Sequence, residues 1–180
     1  MKVSKAQSQE NRAHIVNTAS ALFRERGYDG VSVADLMAAA GFTHGGFYKH
    51  FGSKADLMAE TAECGMAQTL RAADGMAITD FIQSYVSRAH RDGRGGGCTM
   101  AALCGDAARQ PAEIKAAFAA GIDNMLASVE QGATRQQAIN LFAQAIGAVL
   151  LSRACPDDSA LADEILDVCR QQMLASLAAG

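Results

Sequence analysis

Apolar residues recur at helical spacing along almost the whole chain. Over residues 10–26, Ile15, Ala19, Leu22 and Phe23 form one face, and Gly27 is placed to end that helix in a left-handed cap. The run VADLMAAA predicts a second helix over 33–40, with Ser32 as its cap, Asp35 as the reciprocal partner and Gly41 as its breaker. A third helix over 44–50 follows after only three residues. Thr43 is its expected N-cap, and Phe42 and Phe47 occupy hydrophobic-staple positions. Ser53 and Asp56 open a fourth helix that runs to about residue 72.

The remainder patterns as a helical body. Residues 77–91 form an amphipathic segment carrying Phe81, Ile82, Tyr85 and Val86, followed by the Gly-rich loop 92–97. A helix follows Cys98 up to Arg109, and Pro111 suits the first turn of the next, which extends to about residue 130. Two long segments, 134–153 and 159–178, are separated by a turn at Cys155-Pro156-Asp157-Asp158. Ile139, Phe142, Ile146, Val149 and Leu150 share one side of the first. Leu161, Ile165, Cys169, Met173 and Leu177 step along the second, and both stripes suit helix packing.

Composition agrees with an all-α chain: only two prolines occur among 180 residues, and 49% of residues are apolar. The net charge of −3 gives no hint of a nucleic-acid partner, but its distribution does. Residues 1–56 carry seven basic against five acidic side chains, a balance of +2, which leaves −5 for residues 57–180. The five cysteines are widely spaced with no CxxC, which argues against a disulfide framework or zinc site and for a reducing cytoplasm. No apolar leader and no stretch long enough to span a membrane is present. No cofactor or metal is expected, and no catalytic residue is assigned.

The chemistry concentrates in residues 33–50. Two short helices joined by a tight glycine turn are the helix-turn-helix geometry, with Leu36, Ala40, Phe42 and Phe47 holding them together and Gly41 at the turn. One face of the second helix is left free, and a major groove admits a helix. Thr43 and His44 lie at its leading end, while Tyr48, Lys49 and His50 offer donors suited to phosphates. Lys54 and the first N–H groups of the fourth helix are placed for another phosphate.

From Arg12 to Leu57 the chain resembles the DNA-binding domain of TetR-family repressors, through ALFRERGY and VSVADLMAAAGFTHGGFYKHFGSKADL. The resemblance covers about a quarter of the chain, and GFYKHFGSK is its most specific part. It implies backbone contacts from Tyr48, His50 and Lys54, and base-facing positions for Thr43, His44 and Gly45. Gly46 departs from the Thr or Ser frequent in that family, and Met37 from a common Ala. The implied architecture is an N-terminal three-helix helix-turn-helix domain (residues 1–56) plus a C-terminal helical ligand-sensing and dimerisation bundle (57–180), about nine helices in all. The implied function is a homodimeric repressor on a palindromic double-stranded DNA operator, released by a small-molecule or thiol-reactive effector.

Met66, Phe81, Tyr85, Met100, Phe118 and Met125, with Leu70, Leu103 and Ile122, are the candidate pocket residues, since Met-rich surfaces adapt to varied ligands. The commoner use of such residues is plain core. Cys98 is the candidate sensor: it follows a Gly loop at a helix start, and the helix N-terminus and nearby Arg94 favour the thiolate. Cys104, six residues on, falls on another face. The competing reading is a cysteine-dependent helical redox protein or enzyme, for which His90 is the one histidine of the body able to serve as base.

Overall fold

The computed structural model describes residues 4–129 and 134–178. Among these residues the chain is all helical. Its elements are α1 (Lys5–Arg26), α2 (Val33–Ala39), a 3-10 helix (His44–Lys49), α3 (Lys54–Ala73), α4 (Ile78–Tyr85), α5 (Arg88–Asp92), a short 3-10 turn (Arg94–Gly96), α6 (Thr99–Ala107), α7 (Ala112–Val129), α8 (Arg135–Ala154) and α9 (Ala160–Ala178). Lys2 and the expected helix end at residue 130 lie outside the described residues.

Local chemistry sets most of these boundaries. Ser4 caps α1 by accepting the Gln7 N–H at 3.1 Å, so the helix begins five residues before the expected start at residue 10. Periodicity misses this stretch because KAQSQE has no apolar side chain larger than that of Ala6. Gly27 ends α1 at φ 75°, and its N–H donates to the Phe23 carbonyl at 2.8 Å. That left-handed conformation is accessible to glycine at little cost. The Ser32/Asp35 capping box on α2 is complete. Ser53 caps α3 through the Asp56 N–H at 3.1 Å.

Two expected helices take a different form. The segment after Thr43 is a 3-10 helix, with Gly46 N–H to the Thr43 carbonyl and His50 N–H to the Phe47 carbonyl, each 2.9 Å. Two adjacent glycines weaken an α-helix there, and the Thr43 hydroxyl makes no cap bond. The ring neighbour of Phe42 is His14, with centroids 6.2 Å apart. The segment 77–91 is broken into α4 and α5 at Val86, where Ser87 supplies a fresh N-cap for the His90 N–H at 3.2 Å.

One core runs through the described chain. Ile15, Phe23, Tyr28, Leu36, Phe47 and Leu57 are fully buried where α1, α2, the 3-10 helix and α3 meet. Met66, Ile82, Met100, Leu103 and Ile114 continue it into the body. Each such side chain contributes roughly 1.5–3 kcal/mol through burial. Because α3 passes through both regions, the expected boundary at residue 56 falls in its first turn. No described helix is long and apolar enough to cross a membrane.

Candidate nucleic-acid interface and sensor cleft

The 3-10 helix is anchored by Phe47, which is wholly buried and meets Phe51 with ring centroids 5.3 Å apart. Anchoring one side leaves the other outward. Thr43, His44, Gly45, Tyr48 and Lys49 are all exposed, and Tyr48 is 66% accessible. Its ring stands edge-on to Phe47 at 5.2 Å and to His44 at 6.3 Å, so the phenol is oriented without its hydroxyl being used. His50 is half-buried. The two departures from the family pattern are neighbours: a Cβ on Gly46 would meet the Met37 methyl at 3.5 Å, ordinary contact, and Met37 is fully buried.

Lys54 does not stand free. Its ammonium donates to the Tyr28 carbonyl at 2.5 Å and lies 5.8 Å above the Phe23 ring, bracing the turn after α1. An ammonium has three donors, so this bond does not exhaust it. The expected anion site at the start of α3 has its Asp56 N–H already capped by Ser53.

Sequence reasoning passed over Arg12. Its guanidinium donates to the His50 carbonyl, pairs with Glu60 on α3 and lies 4.4 Å above the Phe51 ring. It thus ties α1 to both ends of the turn that follows the 3-10 helix. Its partners are 38 and 48 residues away, beyond any local pattern.

In the body, a cleft of about 340 Å³ opens between α3, α4 and the Gly-rich turn, lined among others by Gly65, Thr69, Met76, Phe81, Tyr85, His90, Gly97 and Cys98. Of the candidate pocket residues, Phe81, Tyr85 and Cys98 line it. Met66, Met100, Phe118 and Met125 are buried core instead. Met66 shows why: it fills the space that a side chain at Gly121 would occupy, 2.1 Å from its sulfur, and so locks α3 onto α7. Leu103 is likewise core, and Ile122 is exposed.

Cys98 caps α6 with its backbone, its side chain making no cap bond, and it is 3% accessible. Its N–H donates to His90 Nε2 at 3.1 Å, while His90 Nδ1 meets the Tyr85 carbonyl at 2.7 Å. The proton therefore sits on Nδ1. Burial holds the imidazole below its ordinary value, with Arg153 acting the same way and the Tyr85 carbonyl opposing. Both ring nitrogens serve backbone groups, so His90 does not form the thiol–imidazole pair that the enzyme reading requires. The guanidinium groups of Arg24 and Arg153 lie in electrostatic reach of Cys98. The Cys104 thiol is pushed up to about 11, chiefly by burial. All five cysteines are free. Among the described residues no group of His, Cys, Asp and Glu could hold a metal ion.

Two further bonds join the Gly-rich turn and α6 to the end of α1 and the residues after it. Arg24 Nε donates to the Gly95 carbonyl at 2.8 Å, and the Tyr28 N–H donates to Asp106 on α6 at 3.1 Å. α8 and α9 expose Ile139, Leu150, Leu161 and Val168, each 39–54% accessible.

Residues 15–61 match the profile of a family described as bacterial regulatory proteins, tetR family. The chain is 40% identical over 60 residues to the HTH-type transcriptional regulator AcrR of Shigella flexneri, covering 33% of this chain and 28% of that protein. It is 49% identical over 43 residues to the HTH-type transcriptional repressor DhaR of Mycobacterium sp. (strain GP1), covering 24% and 22%. These matches thus span less than a third of each relative's length. Whole-chain likeness comes from solved structures. The reduced form of E. coli NemR has a TM-score of 0.77 at 21% identity, covering 91% of this chain and 95% of that one. A TetR transcriptional regulator from Chloroflexus aurantiacus has 0.76 at 23%, covering 96% of each. The family resemblance and the all-α fold expected from the sequence are both borne out.

Proposed function

We propose that this chain, a TetR-family protein by its N-terminal segment and its fold, is a DNA-binding transcription repressor that works as a homodimer in the cytoplasm. The observation that carries this reading is the outward face of the 3-10 helix. Thr43, His44 and Gly45 lead it and Tyr48 and Lys49 flank it, all exposed on a turn that Phe47 fixes from behind. Thr43, His44 and Gly45 meet base edges in the major groove. Tyr48, Lys49 and His50 hold the phosphates beside it, with Lys54 contributing from the first turn of α3. Residues 1–56 form the DNA-binding domain and 57–180 the sensing and dimerisation domain.

One such turn reads too few bases for a unique site. Pairing through the apolar strip of α8 and α9 supplies a second, which matches a palindrome with half-sites a helical turn or a multiple apart. The cleft beside Cys98 receives the effector, a small molecule or a thiol-reactive compound. Occupation favours a dimer whose reading heads no longer fit adjacent grooves. No catalytic role is assigned.

The test is binding of the purified protein to the DNA upstream of its own gene. The expected result is protection of an inverted repeat as two half-sites, with a dimer bound. Binding no tighter than to random duplex at 0.15 M salt would overturn the reading.

A further inference from the structure

We infer that the cleft beside the Gly-rich turn binds a small, uncharged aromatic hydrogen-bond donor of the phenol type, whose O–H is accepted by the side-chain oxygens of Gln68, Thr69 and Ser84. This rests on the effector role proposed above and gives the small-molecule effector its chemical class.

The polar side chains of the lining have already spent their hydrogens. Thr69 Oγ1 donates to the Gly65 carbonyl at 3.1 Å, and Ser84 Oγ donates to the Phe81 carbonyl at 3.0 Å. The Gln68 amide carries two hydrogens; its Nε2 lies 3.0 Å from Asn17 Oδ1 and 3.5 Å from the Cys64 sulfur, one partner for each. His90 gives its Nδ1 hydrogen to the Tyr85 carbonyl, and its Nε2 lone pair takes the Cys98 N–H. The Tyr85 hydroxyl is in hydrogen-bond reach of the Cys98 sulfur. What remains on offer is lone pairs: Gln68 Oε1 and Thr69 Oγ1 on α3, and Ser84 Oγ on α4. A ligand that covers these oxygens without supplying hydrogens forfeits their hydration, whereas a donor replaces it.

Charge decides which donor fits. None of the lining residues is Asp, Glu, Lys or Arg. A cation would enter without a counter-charge, and the guanidinium groups of Arg24 and Arg153 lie in electrostatic reach of Cys98 on the cleft wall. An anion would meet acceptors where it needs donors. Those two guanidinium groups do not serve it, since they donate to the carbonyls of Gly95, and of Arg91, Ala101 and His90. A neutral O–H is left. The body that carries it is set by the apolar walls. Phe81 and Tyr85 stand 5.2 Å apart with their rings tilted by 31°, and Met76 borders the same space. Ring edges and a thioether suit a flat aromatic ring. The volume of about 340 Å³ lies in the range of small-molecule sites.

The test is calorimetric titration of the full-length protein with 4-ethylphenol, 4-ethylanisole, 4-ethylbenzoate and 4-ethylbenzylammonium. The anisole keeps the ring and the oxygen but has no hydrogen to donate. 4-Ethylphenol is expected to bind about tenfold tighter than 4-ethylanisole, the worth of one hydrogen bond, and tighter than either ion. Thr69→Val, Ser84→Ala and Gln68→Met each remove one acceptor. In at least one of them the phenol-to-anisole ratio should fall to within about twofold of unity. A variant that only loosens the fold weakens both compounds alike and leaves the ratio standing. The two hydroxyls bond within their own helices, so Thr69→Val and Ser84→Ala should melt with wild type. Anisole binding as tightly as phenol, an ion binding tighter than both, or a ratio untouched by all three variants would each overturn the inference. Gel shift on the operator separates the two levels. Phenol binding that leaves DNA affinity intact would sink the effector role and leave the ligand class standing. Operator release by one of the ions and not by the phenol would do the reverse.

Discussion

Tyr48 and Lys49 sit side by side on the exposed turn but should fail in different ways when altered. Tyr48→Phe removes only a hydroxyl; the ring keeps its edge-on contacts with Phe47 at 5.2 Å and His44 at 6.3 Å. The fold is therefore unaffected, and the melting temperature should hold. A bound dimer loses two charge-assisted hydrogen bonds to phosphate, about 1.5–3 kcal/mol each, which weakens operator binding by about 100-fold or more. Lys49→Ala removes two cations per dimer. Each phosphate neutralised contributes about 0.9 to the slope of log K against log salt, so that slope should become shallower by about 2. Fluorescence anisotropy on the inverted-repeat duplex between 0.05 and 0.2 M salt separates the two. Tyr48→Phe lowers the line without tilting it, and Lys49→Ala tilts it. A Lys49→Ala slope equal to wild type would mean that the turn does not lie on the phosphate backbone. A Tyr48→Phe line superposed on wild type would refute the role given to the phenol.

Three other expectations probe the rest of the molecule. Leu161→Asp combined with Val168→Asp places four carboxylates in the paired α8–α9 strip, each costing several kcal/mol to desolvate; sedimentation should show monomer, and an intact dimer would move the interface elsewhere. Gly65→Ala sets a Cβ 2.1 Å from the Thr99 hydroxyl and 3.0 Å from the Arg24 guanidinium, so urea unfolding should show a loss of about 1–3 kcal/mol despite alanine's helix preference. His90 is held below its ordinary 6.5, first by burial, so the unfolded chain takes up a proton that the folded chain refuses. Stability is therefore full above about pH 6.5 and declines as pH falls below it; His90→Gln should flatten that dependence in melts from pH 7.5 to 5.5, and an unchanged profile would exclude His90 as its source.

Legibility in the sequence followed the range of the interaction. The caps at Ser32, Ser53 and Gly27 act within four residues, so α2, α3 and the end of α1 were readable. The break at Val86 was not, because Phe81, Ile82, Tyr85 and Val86 stay in helical phase while one serine restarts the helix. A four-residue step drifts about 40° around a helix, so the α9 stripe winds from exposed Leu161 to buried Met173 rather than keeping to one side. The α8 stripe divides similarly, with Phe142 and Val149 inward and Ile139 and Leu150 outward. The exposed residues of the 3-10 turn were legible because the buried ones around them have fixed periodicity. Of the sensor residues, only Phe81, Tyr85 and Cys98 reached the cleft. A methionine at helical spacing carries no mark of whether the facing helix offers it a glycine, as Gly121 offers Met66.

The bonds with the largest sequence separation bear most on how a signal would travel. Arg24 to Gly95 spans 71 residues and Tyr28 to Asp106 spans 78; the first joins the Gly-rich turn, the second α6, to the end of α1 and the residues after it. Each has one charged partner, which puts each at roughly 1.5–3 kcal/mol. Arg24 is 8% accessible and also donates to the Ser20 hydroxyl at 2.6 Å, so it cannot readily turn to water if the Gly95 carbonyl withdraws. An adduct on Cys98, three residues from Gly95, therefore faces two outcomes: the turn stays and the ligand is strained, or the turn moves and takes α1 with it. Forfeiting one of the two bonds already shifts the balance between states tenfold or more. α1 in turn holds the end of the exposed 3-10 helix through Arg12 and the His50 carbonyl. On the proposed reading, the link from Cys98 to the exposed turn runs through the Gly-rich turn and α1, with α3 tied in through Arg12 and Glu60.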